Sequence, residues 1–427
     1  MSKKERIILL LLAALNFTHI LDFMIMMPLG NFLMPHFGIS AQAFSMVVAA
    51  YTISAGVSGF LAAFFVDRFD RKKVLMFGYS GFLLGTLFCA VAPTFGLLMA
   101  ARIVAGIFGG LIGAQVLSIV ADLIPYERRA AAMGVIMGAF SLASVFGVPF
   151  GLYLANNLNW HAPFYFVVIL GVILVPLLIR YIPKMDAHLK EETVQRINPL
   201  VLLKDIAKDS NQLLALGLSG TMMMGHFLII PFLNPFMEFN MGFSKTETPM
   251  IYFVGGMLTL FSSPLVGKLA DKTGKFNMYR YMLLVGLIPV AIITHLPAIP
   301  FYLVLCITGI WFIISSGRSI PAQAMISNVV PTEKRGSFMS FNSSVQQLFV
   351  AAASLIAGFV VVRMPDNKIL YYNITGYLSI AVLSVSLLLA YFLHKKMTMK
   401  QISSTPVPAA AIERNKVTPV LESPVEI

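Results

Sequence analysis

Charge is what this chain has least of. Asp, Glu, Lys and Arg make up 12% of its 427 residues, about half the ~25% of an ordinary soluble domain. Set against 58% hydrophobic residues and a mean hydropathy of +0.83, that leaves too little polar surface to wrap a water-soluble globule. A cytoplasmic enzyme and a disordered regulator are excluded. Cysteine is nearly absent, at two residues, which excludes a disulfide scaffold. Cys89 and Cys306 both fall inside apolar runs without the spacing of a zinc or haem site, and both read as small core residues. Also missing are a Walker phosphate loop, a His-Glu-x-x-His pair and a nucleophile triad. The chain is therefore expected to be no enzyme, to need no cofactor or metal, and to hydrolyse no ATP.

What the chain has is apolar runs. Stretches of roughly 20 residues suffice to cross a ~30 Å hydrocarbon core as helices. Twelve are present, at about 7–34, 41–66, 74–92, 95–121, 131–155, 162–181, 211–236, 249–270, 278–296, 301–326, 337–362 and 370–393. The fold class is an all-α membrane protein. The basic start (Lys3, Lys4, Arg6) is like that of a signal peptide, but the apolar run continues too far and shows no small-x-small cleavage site, so it reads as a retained first helix. Lys and Arg set the direction. With the N-terminus inside, the inner segments hold 26 of them and the outer loops three, Lys245, Arg363 and Lys368, while Arg102 and Arg318 lie within helices. Both termini are expected in the cytoplasm of a multi-pass protein of the cell membrane. The formal charge of +12 is then a topology signal and implies no nucleic-acid partner.

The longest polar interruption, 182–210, separates a six-helix half (1–181) from a second (211–394). The tail 395–427 is rich in Pro, Ser and Thr towards its end and is expected to be disordered. The halves repeat at a nearly constant offset. Pro28 and Asn31 match Pro231 and Asn234 at 203; Asp67 matches Asp271 at 204; Pro125, Glu127 and Arg129 match Pro331, Glu333 and Arg335 at 206. Internal repeats of this kind mark secondary transporters with a midplane site between the halves.

The loop after the second helix reads Ala63-Phe-Phe-Val-Asp67-Arg68-Phe-Asp70-Arg71-Lys72, and that after the eighth Gly267-Lys-Leu-Ala-Asp271-Lys272-Thr-Gly274-Lys275. These resemble the Gly-x-x-x-Asp-Arg/Lys-x-Gly-Arg-Lys/Arg loop of the major facilitator superfamily, with Ala63 and Asp70 replacing the two glycines of the first copy. The resemblance covers all twelve helices. It implies two six-helix pseudo-repeats that rock about a central site. A carboxylate at a helix end can accept from the free N–H groups of a neighbouring helix start. Asp67 is accordingly expected at the start of helix 11 near Gly336, Asp271 at the start of helix 5 near Ala130, and Arg68 and Arg71 at Asp122. With Lys272, these form a cytoplasmic gate.

Of nineteen acids, only Asp22 lies deep in a helix; Glu238 is near the outer end of helix 7. An intramembrane ionisable residue is a functional candidate. Arg102 sits at a comparable depth in helix 4, so an Asp22–Arg102 pair is geometrically possible. Arg102-Ile-Val-Ala-Gly106 resembles the antiporters' Arg-x-x-x-Gly, which implies a role in proton coupling. His19 shares a helix face with Asp22, and His226 falls one residue past the repeat position of Asp22; either is a candidate relay or substrate ligand. Asn31 and Asn234, each three residues after a proline that lets the helix bend, are expected on the cavity walls. Arg318 in helix 10 reads either as an anion ligand or as a partner for an inner carboxylate. Asn342, Gln346 and Gln347 form a polar stripe on helix 11.

Gly147-Val-Pro149-Phe-Gly151 in helix 5 is similar to the antiporter signature in the Gly-Val-Pro form of arabinose-efflux-like proteins, which implies export. The resulting expectation is a monomeric, proton-coupled exporter of a small molecule such as a drug, sugar or metabolite. Its partners would be the substrate, protons and the lipid bilayer. Proton-coupled uptake and a non-transporting sensor on the same scaffold are the alternatives.

Overall fold

A computed structural model of the chain describes residues 2–62, 64–186, 204, 206–331 and 335–404. Twelve helices in it are long and apolar enough to cross a membrane. They are α1 (Lys3–Ile25), α2 (Ala41–Ala62), α3 (Arg71–Val91), α4 (Phe95–Leu123), α5 (Tyr126–Leu142, continued by Val148–Asn157), α6 (Ala162–Tyr181), α7 (Ser210–Phe227, continued by Ile230–Phe239), α8 (Thr248–Thr273), α9 (Lys275–Thr294), α10 (Phe301–Ser327), α11 (Arg335–Val360) and α12 (Tyr372–Ser404). In hydrocarbon every backbone polar group must be satisfied within its own helix, which is why uninterrupted apolar runs take this form. The outer faces of α3, α6 and α9 present Phe77, Leu84, Ile169, Val172, Val285 and Ile288, all more than half exposed, as a lipid-facing surface requires.

Helix starts are capped from the sequence. Ser2 and Glu5 form a capping box on α1. Thr94 receives the Leu97 N–H, and Asp70 receives that of Lys72 at 2.8 Å. Asp70 also accepts from the Met185 N–H at 3.2 Å, while the Arg71 N–H donates to the Met185 carbonyl. A glycine at position 70 would supply neither of the carboxylate's two bonds.

The two prolines at the repeat register interrupt their helices alike. α1 stops at Ile25 and resumes as a short helix, Gly30–Phe37, after the turn that holds Pro28; α7 stops at Phe227 and resumes at Ile230, next to Pro231. In α5 the chain widens into a π-helical turn over Ala143–Gly147, where the Val148 N–H reaches back to the Ala143 carbonyl. Pro149 follows directly; it has no N–H for the Val145 carbonyl, and the wider turn makes room for its ring.

The first six and last six helices meet along two seams, α2 against α11 and α5 against α8. At the second seam Gly256 of α8 lets the backbones close in: a Cβ there would sit 3.0 Å from both N and Cα of Val145. Gly147 and Gly151 serve α1, where added Cβ atoms would meet Leu21 and Ile25 at 2.8 and 2.6 Å.

Two features depart from expectation. α12 runs to Ser404, so residues 395–404 continue the helix; the segment carries no proline before Pro406 and is made of good helix formers. The rest of the expected tail, 405–427, and most of the 182–210 linker lie outside the described residues. Between α11 and α12 a small antiparallel pair forms, β1 (Val362–Arg363) and β2 (Ile369–Leu370), turning at Asn367 with φ +68°.

Candidate functional site

Asp22 and Arg102 are 0% and 1% exposed, and Arg102 Nη1 donates to Asp22 Oδ2 at 2.7 Å. α1 and α4 bring them together from 80 residues apart. The guanidinium also lies over the ring of Tyr51 in α2, 4.2 Å from its centroid, a cation–π contact inside a dry bundle. The Tyr51 hydroxyl is 2.9 Å from His19 Nε2. His19 therefore reaches the pair through Tyr51, with its own ring edge-on to Phe82. The Cys89 thiol of α3 completes the shell beside Arg102. Four helices thus converge on one buried ion pair. Asp22 Oδ1 and Arg102 Nε remain without hydrogen-bond partners. Tyr51 is absent from the residues singled out by sequence; its one signal there is that it is the single tyrosine of its helix, at mid-span.

Asn31 and Asn234 do not line an open wall. They tie the two halves together at the end of the bundle remote from the chain termini. Asn31 Nδ2 donates to Glu238 Oε2, and Asn234 Nδ2 donates to the Pro28 carbonyl at 2.9 Å. Glu238 Oε1 accepts from Thr248 Oγ1 at 2.8 Å. The interruptions at Pro28 and Pro231 put both asparagines on facing turns, which free the carbonyl that Asn234 takes. Further bonds cross at this end. Arg363 Nη1 donates to the carbonyls of Met34 and Ile39 at 3.1 and 3.0 Å, and Asn156 Nδ2 to that of Lys245. By sequence alone Arg363 is a loop cation.

In the second half, His226 stacks on Trp311 at 4.9 Å and 21°, and Gln346 Nε2 donates to Ser219 Oγ at 2.7 Å. Asn342 is buried with Oδ1 unpaired. Arg318 is 2% exposed and pairs with no inner carboxylate among the described residues.

At the terminal end, Arg71 Nε lies 2.8 Å from Asp122 Oδ2 in the last turn of α4. Arg68 is exposed and forms no ion pair with Asp122. The side chain of Asp67, in the turn Val66–Arg68, lies outside the described residues. Asp271 is 69% exposed and pairs with Lys275 one turn on, across the helix-to-helix turn at Gly274, and, among the described residues, not with the start of α5. Lys272 is exposed. Among the described residues no group of three His, Cys, Asp or Glu side chains gathers to hold a metal.

A family model described as "Major Facilitator Superfamily" matches residues 12–354. The uncharacterised MFS-type transporter YceJ of Bacillus subtilis is 24% identical over 343 residues, covering 79% of this chain and 85% of that protein. Multidrug resistance protein 3 of the same organism is 30% identical over 153 residues, 36% of this chain and 30% of its own. Among solved structures, a bacterial homologue of the human lysosomal transporter Spinster, in an inward-facing and unoccupied conformation, superposes with a TM-score of 0.69. The match has 14% identity and covers 96% of this chain and 100% of that one.

Proposed function

Since this chain belongs to the Major Facilitator Superfamily, whose members are alternating-access transporters and not enzymes, we propose that it exports a small molecule in exchange for protons, with Asp22 as the proton carrier. The observation that carries this reading is the Asp22–Arg102 pair, sealed from solvent and held by four helices. A proton on the Asp22 carboxyl cancels its charge and removes the stronger half of its hold on Arg102. Cargo that donates to the unpaired Oδ1 of the Asp22 carboxylate is displaced when a proton takes that carboxylate, and loss of the proton makes it an acceptor again. Cargo and proton thus compete for one carboxylate, which is the requirement for antiport.

Direction rests on two supports. The basic residues mark the terminal end as cytoplasmic, so the asparagine–glutamate clasp closes the outer end. The Gly147-Val-Pro149 form and the stretch similar to Multidrug resistance protein 3 favour export of a drug-like, sugar or metabolite cargo. The protein would work as a monomer in the cell membrane, with each half forming one wall. Arg71 and Asp122, with Asp67, Arg68, Asp271 and Lys272 around them, would form the gate that re-forms when the inner end closes.

The test is a substrate-panel flux assay in proteoliposomes under an imposed pH gradient. Parent protein should accumulate substrate against its gradient in inverted orientation, and Asp22→Asn should lose pH-driven exchange altogether. Unchanged pH-driven flux in the variant would discard the role of Asp22; uptake in right-side-out vesicles would reverse the direction.

A further inference from the structure

Among the described residues each half of the molecule buries one arginine, Arg102 and Arg318, and Arg102 alone of the two is paired with an acid. Arg318 lies in α10, roughly 14 Å along the helix axis from its Ser327 end. It is 2% exposed, and its Nε and Nη1 are sealed and unpartnered. No described carboxylate of the second half is free to serve it. Asp209 caps α7, Glu238 holds Asn31 and Thr248, and Glu247 holds Ser244. Asp271 and Asp366 pair with Lys275 and Lys368. Among the described residues, the helices packed against this part of α10 bring His226 of α7 and Tyr279 of α9 within electrostatic reach. The Tyr279 hydroxyl is engaged with Ser386 at 2.6 Å.

A guanidinium cannot escape burial by giving up its proton, and its planar fork of five donors fits the paired oxygens of a carboxylate or phosphate. Other unpaired polar atoms share its surroundings. Ser315 Oγ is one turn away on the same face of α10, and His226 Nδ1 faces in from α7. Two turns along that face, Trp311 lies flat against His226 and supplies an apolar wall.

We propose that Arg318 is the docking point for an anionic cargo: a carboxylate or phosphate on the guanidinium, with an apolar, ring-sized body against Trp311 and His226. This deepens the export reading and rests on it for the statement that the bound anion is cargo.

The chain has two tryptophans, so Trp160→Phe leaves Trp311 as a single reporter beside the site. Full-length protein in detergent, without a pH gradient, is titrated with benzoate and phenyl phosphate and, in parallel, with benzamide and benzyl alcohol. Saturable change of Trp311 emission is expected with an anion, and which anion binds separates carboxylate from phosphate. The neutral probes and the Arg318→Gln variant should both be weaker by about tenfold or more, the ratio one lost charge-assisted bond predicts. Arg318→Lys should keep part of the binding. In a second measurement, Arg318→Met should raise the melting temperature of the ligand-free protein, because it removes an unpaired buried charge. It should also abolish the rise that the anion produces in the parent.

The proposal is overturned if anionic and neutral probes bind alike, if Arg318→Gln binds as the parent does, if no probe saturates up to its solubility, or if Arg318→Met melts below the parent. Binding is read without a gradient. Intact anion binding with no pH-driven flux therefore removes proton coupling alone, and pH-driven flux without anion selectivity removes this proposal alone.

Discussion

At the scale of single residues, the energetics of this bundle are set by a few charges kept out of both water and lipid. Breaking a buried pair by deleting one partner costs about 3–5 kcal/mol, because the other charge is left behind; replacing both with apolar groups is often neutral or better. Arg102→Met should therefore lower stability by about that amount, leaving Asp22 stranded among Tyr51, His19 and Cys89. Asp22→Asn should cost less, since the amide oxygen still accepts from Nη1. The double variant Asp22→Leu with Arg102→Met should recover most of the loss. Thermal unfolding in detergent reads all three, and additive effects in the cycle would mean that the two side chains do not act as a pair. This pair was legible in the sequence, because one acid deep in an apolar run and one arginine at matching depth can satisfy each other. Tyr51 and Glu238 were not. A tyrosine in a span carries no charge to flag it, and a glutamate near a helix end looks solvated until the facing asparagine, 207 positions away, is brought to it by the fold.

At the scale of elements, the helices follow from apolar run length, and their interruptions follow from proline. Pro28 and Pro231 broke their helices at the same register because neither can donate the bond that would continue the turn. The two-residue strands β1 and β2 could not be read, being too short to show a period of two. The overrun of α12 was missed for a different reason: basic residues mark where a helix leaves the hydrocarbon, and leaving hydrocarbon does not end a helix. The start of α8 carries a prediction at this scale. Glu247 Oε2 accepts the Ser244 N–H at 2.8 Å and the Ser244 hydroxyl at 2.7 Å. The backbone bond first, then the hydroxyl, holds its carboxyl below the usual carboxylate range. A depressed acid stabilises the fold above its unfolded pKa and loses that contribution as pH falls through the folded value. The group is exposed, so the effect is local, roughly 0.3–1 kcal/mol on the first turn. Hydrogen exchange should show the amides of Thr248, Met250 and Ile251 better protected in the parent than in Glu247→Gln near neutral pH. The gap should close below the carboxylate range; a gap independent of pH would remove the charge from the explanation.

At the scale of the whole molecule, what matters is which end the two halves close. Among the described residues, the hydrogen bonds crossing between them lie at the end remote from the termini, in three groups: the asparagines with Glu238 and the Pro28 carbonyl, Arg363 on the Met34 and Ile39 carbonyls, and Asn156 on that of Lys245. None of these groups is apolar, so each can exchange protein partners for water when the end opens, and closure is reversible by design of its chemistry rather than by weakness of packing. The seams α2–α11 and α5–α8 run alongside as the surfaces about which the halves turn. Glu238 is the most exchangeable member of the clasp, since it alone gathers donors from both halves. Hydrogen bonds to a charged group are worth about 1.5–3 kcal/mol each, and about 1.4 kcal/mol moves a two-state population tenfold. Glu238→Ala removes the bond from Asn31 that crosses between the halves, while Arg363 and Asn156 stay in place. The balance should therefore shift towards the state open at this end by about tenfold without unfolding either half. Spin labels at Ser40 and Thr246, one on each half near that end, should show a longer distance gaining population in the variant. The melting temperature of the protein should move little. An unchanged distance distribution would assign closure to Arg363 and the seams, and would leave Glu238 as a buried acid that merely keeps its neighbours satisfied.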